Sequence, residues 1–232
     1  MQDANEFFNR LFDKLESELA KSKDKRVLQR LFGGTNSNQV ICKECGHISE
    51  RIEPFFSLSL DVRNQRDIET SLSHMVEGEV LQGDNQYRCD QCKKKVDAVR
   101  RCCIGHCPNY LVVHLKRFEF DFDAMQHVKV NDECKFPTEL SLSSFCKAGL
   151  AAAAPDPDLH AEYSLAGVLV HTGMANSGHY YSFIKERRAG TTESGVAGRW
   201  MHFNDTLVEP FDPRDIPKCC YGGVEQVTQW DS

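Results

Sequence analysis

His171-Thr172-Gly173, Ser177-Gly178-His179-Tyr180-Tyr181-Ser182 and then Trp200-Met201-His202-Phe203-Asn204-Asp205 decide how the rest of the chain is read. A histidine sits in a glycine-bearing turn that runs into an apolar strand. An amide and a carboxylate follow about 25 residues on, at the end of a second aromatic strand. Histidine becomes a useful general base when a fixed acceptor holds its tautomer. His179 is therefore a candidate base. Asn204 or Asp205 is its candidate orienting group, and the pattern leaves open which. Taken alone, a histidine beside aromatic residues is more often a packed one. His171, at the far end of the same turn, reads as structural, and His202 as a surface or packing residue.

Outward from this stretch, the chain reads as one helix followed by many strands. Phe7, Phe8, Leu11, Phe12, Leu15 and Leu19 recur at spacings of three and four, which predicts an amphipathic helix over 3–21. Residues 22–38 are charged, then rich in Gly, Asn and Ser, and read as a connection. Strands are expected over 39–62, 96–118, 163–170, 179–186 and 199–209, with a short helix near 67–77. Residues 121–132 read as a polar connection. The Ala run and Pro155-Asp156-Pro157-Asp158 within 147–160 read as a surface insertion. A helix followed by strands, without βαβ alternation, predicts the α+β class.

Cys42-Lys43-Glu44-Cys45 and Cys89-Asp90-Gln91-Cys92 stand apart from the other cysteines. Each pair can sit on a tight turn with both thiolates pointing inward, and four thiolates make a closed tetrahedral zinc site. Gly46 suits the turn after the first pair. The alternative is four ordinary, partly buried cysteines. A redox role fits less well, since neither pair opens a helix. Such a site holds shape and does no chemistry. Eleven cysteines, an odd number, favour a reducing, intracellular compartment over a disulfide framework. No run of 18 apolar residues exists, so no membrane span is expected. The net charge of −6 argues against a general nucleic-acid partner.

The histidine stretch resembles the histidine box of the ubiquitin-specific proteases, the papain-like deubiquitinating enzymes. Three further stretches agree, in the family's order: Gln2-Asp3-Ala4-Asn5-Glu6-Phe7, Leu115-Lys116-Arg117-Phe118, and Tyr163 through His171. The resemblance implies the papain-like fold over 1–232. About 1–38 would be a thumb remnant and connection, 39–100 fingers bearing a zinc ribbon, and 101–232 a palm with the histidine box. It implies structural zinc on Cys42, Cys45, Cys89 and Cys92. It implies catalysis by His179 with Asn204 or Asp205, in hydrolysis of the isopeptide bond at the C-terminus of ubiquitin. Ubiquitin and ubiquitinated proteins are the implied partners, in the cytoplasm or nucleus.

The family threads ubiquitin's extended tail into a narrow channel. Phe118 and Tyr180 match aromatics walling it, and Asp3 and Glu6 match acids that meet arriving arginines. Gly178 lets the backbone approach a bound chain. The structural alternatives are a core Phe118 and a helix-capping Asp3. Loops 120–132 and 172–178 match gating loops. The family's nucleophile lies in an Asn-Thr-Cys segment upstream of the Gln-Asp-Ala helix, and no such segment is found here. None of Cys102, Cys103, Cys107, Cys134, Cys146, Cys219 and Cys220 resembles it. The expectation is a deubiquitinase domain that is inactive alone because the nucleophile is missing. The alternative is a non-catalytic ubiquitin-binding or zinc-ribbon scaffold module.

Overall fold

The computed structural model of this chain describes residues 3–151, 161–186 and 198–223. Helix α1 (Ala4–Leu19) starts where Asp3 caps it: the Asn5 N–H donates to Asp3 Oδ1 at 2.8 Å. Of its apolar stripe only Phe12 is buried, against the rings of Phe8, Phe32 and Phe56. The helix expected over 3–21 is present, though Phe7, Leu11 and Leu15 of its apolar residues are exposed.

The region read as a connection over 22–38 is more ordered than its composition predicts. It holds α2 (Val27–Phe32) and the first half of β1 (Gly34–Cys42). The polar residues Thr35 to Gln39 form a central strand because both neighbours supply backbone partners. They are β2 (Ile48–Phe55) on one side and, later in the chain, a nine-residue strand at Ala98–His106 on the other. Tertiary pairing outweighs strand propensity here.

The chain continues through β3 (Leu58–Asp61), α3 (Ile68–Glu77), β4 (Glu79–Leu81), β5 (Tyr87–Arg88), β6 (Lys95–Val96) and β7 (Ala98–His106). The first sheet has the order β2-β1-β7-β4. Then come β8 (Val113–Lys116), β9 (Phe118–Asp121) and β10 (Gln126–Lys129). β8 pairs in parallel with β3. β9 and β10 form an antiparallel hairpin, so the expected polar loop at 120–132 holds the strand β10 as well as a turn. Its register is set by the turn: Asp121 Oδ1 accepts from the N–H groups of Asp123 and Ala124, and Met125 takes φ 49°.

β11 (Glu139–Ser141), α4 (Lys147–Ala151) and β12 (Glu162–Ser164) follow. α4 is the start of the proposed insertion; Pro155 to Asp158 lie outside the described residues. The second sheet is the meander β13 (Gly167–Met174), β14 (Ser177–Lys185), β15 (Trp200–Asn204) and β16 (Leu207–Pro210), closed off by α5 (Ile216–Cys220). β13 and β14 pair up to Met174↔Ser177, leaving a two-residue turn at Ala175-Asn176. The expected loop at 172–178 is therefore a tight hairpin.

Two larger cores hold these sheets among the described residues. One gathers Leu58, Leu60, Leu72, Ile104, Leu140 and Leu142 from the first half and its flanking strands. The other gathers Phe183, Trp200, Ile216 and Cys220 beneath the meander. Phe136 packs against both and joins them.

Candidate active site and metal centre

The strand β14 begins where β15 ends, because neighbouring strands of the meander are antiparallel. This brings His179, near the start of one, to Asn204, the last residue of the other. His179 Nε2 lies 2.6 Å from Asn204 Oδ1. An amide oxygen can only accept, so Nε2 carries a proton, and in the neutral ring the lone pair is on Nδ1. Asp205 lies farther away, its Oδ2 at 3.9 Å from Nε2, and its side chain is 79% exposed. Its φ of 50° turns the chain sharply into β16.

A second group gathers beside this pair. The Phe118 ring meets His171 edge-on at 5.0 Å, and His171 meets Tyr180 at 4.8 Å. The Tyr180 phenol oxygen accepts from the Ala4 N–H at 3.2 Å. Burial, with the Asp3 carboxylate adding to it, pushes the Tyr180 phenol above its ordinary value. Asp3, Phe118, Gly178 and Tyr180 thus converge around His171 and the start of α1. Glu6 does not turn to them; its carboxylate pairs with Arg10 at 2.6 Å. Gly178 has a reason internal to the fold: a Cβ there would strike the His171 ring and the Thr172 carbonyl.

Sequence reasoning missed two supports of this site, Arg117 and Lys129, and the Glu209 partner of a third residue, His202, which it read as a surface or packing histidine. Arg117 donates to the carbonyls of Val130 at 3.1 Å, Asp132 at 2.8 Å and Tyr221 at 2.9 Å, fastening β10's exit to α5. Lys129 Nζ donates to the carbonyls of His171 and Gly173, both at 3.0 Å, tying the β9–β10 hairpin to β13. His202 Nδ1 lies 3.0 Å from Glu209 Oε1 while its ring stacks on Phe183. Strand alternation puts His202 and Asn204 on one face, and cross-strand register opposes Glu209. No local pattern marks Lys129, and the Leu115–Phe118 stretch that contains Arg117 does not name the backbone atoms it binds.

The four paired cysteines meet far from the histidine in sequence. Cys42, Cys45, Cys89 and Cys92 place their sulfurs within 4.8 Å of one another. Both pairs make the same turn. Gly46 N–H donates to the Cys42 carbonyl at 3.0 Å and Lys93 N–H to the Cys89 carbonyl at 2.9 Å, with φ 71° at Gly46 and 55° at Lys93. Cys42 and Cys92 sulfurs are 3.8 Å apart, Cys45 and Cys89 sulfurs 3.7 Å. A regular tetrahedron with ligands about 2.3 Å from zinc has edges of about 3.8 Å, so the cage fits that ion. The Cys45 N–H, 3.4 Å from Cys42 sulfur, is the main influence pulling Cys42 down to about 7. Its contact with Cys45 and burial push Cys92 up to about 12. Four thiols this close cannot all ionise without a cation among them.

The family model described as "Ubiquitin carboxyl-terminal hydrolase" matches residues 1–228. The chain belongs to this family. Its fold is the α+β fold of the ubiquitin-specific proteases, and the family's hydrolases are of the cysteine-protease type. Ubiquitin carboxyl-terminal hydrolase 24 of Mus musculus is 38% identical over 253 residues, covering 99% of this chain and 10% of that relative. The enzyme of the same name in Homo sapiens is also 38% identical, with the same coverage. Ubiquitin carboxyl-terminal hydrolase 9X of Mus musculus is 36% identical, covering 95% of this chain and 9% of the relative. The chain thus spans about a tenth of the length of these relatives. Among solved structures, a SAGA DUB module of Ubp8, Sgf11, Sus1 and Sgf73 bound to monoubiquitin superposes with a TM-score of 0.77 at 28% identity. It covers 96% of this chain and 47% of that one. No described helix of this ubiquitin carboxyl-terminal hydrolase homologue is long and apolar enough to cross a membrane.

Proposed function

We propose that this chain is the larger part of a deubiquitinating catalytic domain, acting on the isopeptide bond at the C-terminus of ubiquitin. The observation that carries the reading is the 2.6 Å contact from His179 Nε2 to Asn204 Oδ1. With Nε2 committed, Nδ1 takes the proton from a cysteine thiol and later returns it to the departing lysine amine. The contact favours Asn204 as the orienting residue, with Asp205 a turn residue. Phe118, Gly178 and Tyr180 line the path of the ubiquitin tail. Asp3 stands where the tail's arginines arrive. Glu6, held by Arg10, contributes by exchanging that partner. The first sheet with the cysteine cage forms fingers, and the meander forms the palm. Zinc, when held by Cys42, Cys45, Cys89 and Cys92, supplies structure only, since all four positions are filled by protein.

None of the eleven cysteines here serves as nucleophile in this reading. A catalytic thiol needs a lowered pKa and a base within reach. Burial pushes Cys102 up to about 11 and Cys220 up to about 12, and also raises Cys103, Cys134 and Cys219. Cys107 is lowered, but through Cys146 rather than a histidine. The nucleophile therefore comes from a segment other than these 232 residues. Ubiquitinated proteins are the substrates, and the acidic net charge leaves nucleic acid out. The eleven free thiols fit a reducing compartment such as cytoplasm or nucleus. The deciding experiment adds the family's cysteine segment to this chain and follows release of a fluorophore from the ubiquitin C-terminus. Turnover that vanishes with His179→Ala supports the proposal; turnover indifferent to His179 removes it.

A further inference from the structure

Cys107 and Cys146 hold their sulfurs 3.3 Å apart, outside both the histidine site and the four-cysteine cage. Cys107 follows the end of β7, and Cys146 stands between a short turn at Ser143–Phe145 and α4. Their backbones are already fixed. Ile104 and Cys146 form a bridge between the two segments, and Tyr163 donates its phenol proton to the Pro108 carbonyl at 2.5 Å. A disulfide has sulfurs about 2.05 Å apart, so bonding asks for a closure of only a little over 1 Å.

We propose that Cys107 and Cys146 form a reversible intramolecular disulfide, a modification site whose oxidant is a hydroperoxide. The two thiols are not equivalent. Cys146 is 2% exposed, whereas Cys107 is only half-buried and is the one a small oxidant reaches. The contact with Cys146 holds the Cys107 thiol below its ordinary value. The same contact, then burial, drives Cys146 above it. Cys107 is thus the attacking sulfur and Cys146 the resolving one.

The Cys107 thiolate attacks one peroxide oxygen, the O–O bond breaks, and hydroxide leaves to become water. Sulfur is oxidised by two electrons to a sulfenic acid, and peroxide is reduced. The Cys146 sulfur then attacks the Cys107 sulfur. The S–O bond breaks, the S–S bond forms, and the leaving hydroxide takes the Cys146 proton as a second water. One peroxide and two thiols give one disulfide and two waters; a small dithiol reverses it. The bond would clamp a seam that is already polar. Lys147, next to Cys146, pairs with both Glu50 oxygens at 2.7 Å, and Glu50 accepts from Ser37 on β1.

The test uses the full zinc-loaded chain, reduced and then exposed to hydrogen peroxide. Free thiols are blocked, and tryptic peptides are mapped without reductant. Peptide 102–116 should appear joined to peptide 136–147, lighter by two hydrogens, with fragment ions placing the link on Cys107. Closing this loop should raise the thermal midpoint by at least about 5 °C, and dithiothreitol should return it. Cys146→Ser should leave Cys107 as a sulfenic acid captured by dimedone, and Cys107→Ser should leave Cys146 a free thiol. A link through Cys102 or Cys103 overturns the proposal. So does wild-type protein in which Cys146 is still fully alkylated after peroxide treatment, and this arm needs no variant to fold.

Discussion

Asn204 and Asp205 are neighbours in sequence but unequal partners of His179: the amide oxygen is 2.6 Å from Nε2, the carboxylate oxygen 3.9 Å. Only the first is a hydrogen bond. In the domain with its nucleophile present, Asn204→Ala should therefore slow turnover about tenfold, the cost of a contact worth about 1.4 kcal/mol. Asp205→Ala should cost less. His179→Ala should cost at least about 10²-fold, as for loss of a catalytic base. The double variant His179→Ala with Asn204→Ala should be no worse than His179→Ala alone. Steady-state kinetics on a ubiquitin–fluorophore substrate decides, and a reversed order of Asn204 and Asp205 contradicts the geometry.

The chain by itself should be inert. A ubiquitin probe bearing a C-terminal electrophile should modify none of its cysteines, because burial raises most of the thiols outside the cage and none is within bonding distance of His179 among the described residues. Intact-mass measurement after an hour with the probe is sufficient. Stoichiometric labelling of Cys102, Cys103 or Cys107 would show the chemistry to be elsewhere.

Purified protein should contain about one zinc per chain, since four thiolates fill one tetrahedral site. The core beneath the cage is small: Cys42, Cys89 and Val96 are its buried members. A metal held there would supply what so few side chains cannot. Cys89→Ser, or prolonged chelation, should speed hydrogen exchange in residues 42–96 at least about tenfold, one decade per 1.4 kcal/mol or so of local opening. The meander should be unaffected. Metal-free protein with unchanged exchange would remove the zinc assignment.

Gly178→Ala should destabilise the fold itself. The new methyl would meet the His171 ring and the Thr172 carbonyl. Backbone cannot swing aside as a side chain can, so a cost of about 1–3 kcal/mol is expected, or a midpoint lower by roughly 2–10 °C. A stable Gly178→Ala protein with weakened ubiquitin binding would place the glycine's importance in the channel instead.

The elements that sequence made legible are those with a local signature. The turns at Cys42–Cys45 and Cys89–Cys92 follow from spacing, and α1 from its apolar period. The elements it hid depend on partners distant in the chain. Gly34-Thr35-Asn36-Ser37 reads as loop, yet it lies between β2 and β7, which satisfy its backbone. Gln126-His127-Val128-Lys129 is too short and polar to announce a strand, and only pairing with Phe118–Asp121 makes it one. At the site, the types and order of His179, Asn204 and Asp205 could be read in advance. Their distances could not, because they depend on how β14 and β15 pair. Arg117 and Lys129 bind carbonyls, which carry no sequence identity at all.

Lys129 has one more consequence. Among the described residues β13 is an outer strand of the meander, and outward-facing carbonyls on such an edge are a template on which a foreign strand can dock. The carbonyls of His171 and Gly173, two residues apart, share that edge, and the Lys129 ammonium caps both. A positive charge thus sits where an incoming chain would need to place its N–H groups. Lys129→Met, which keeps the stem and removes the charge, should leave the monomer folded yet prone to edge-to-edge assembly. Light scattering during storage at high concentration should rise for that variant and stay flat for the parent. The residue that steadies the hairpin also keeps one molecule from extending another.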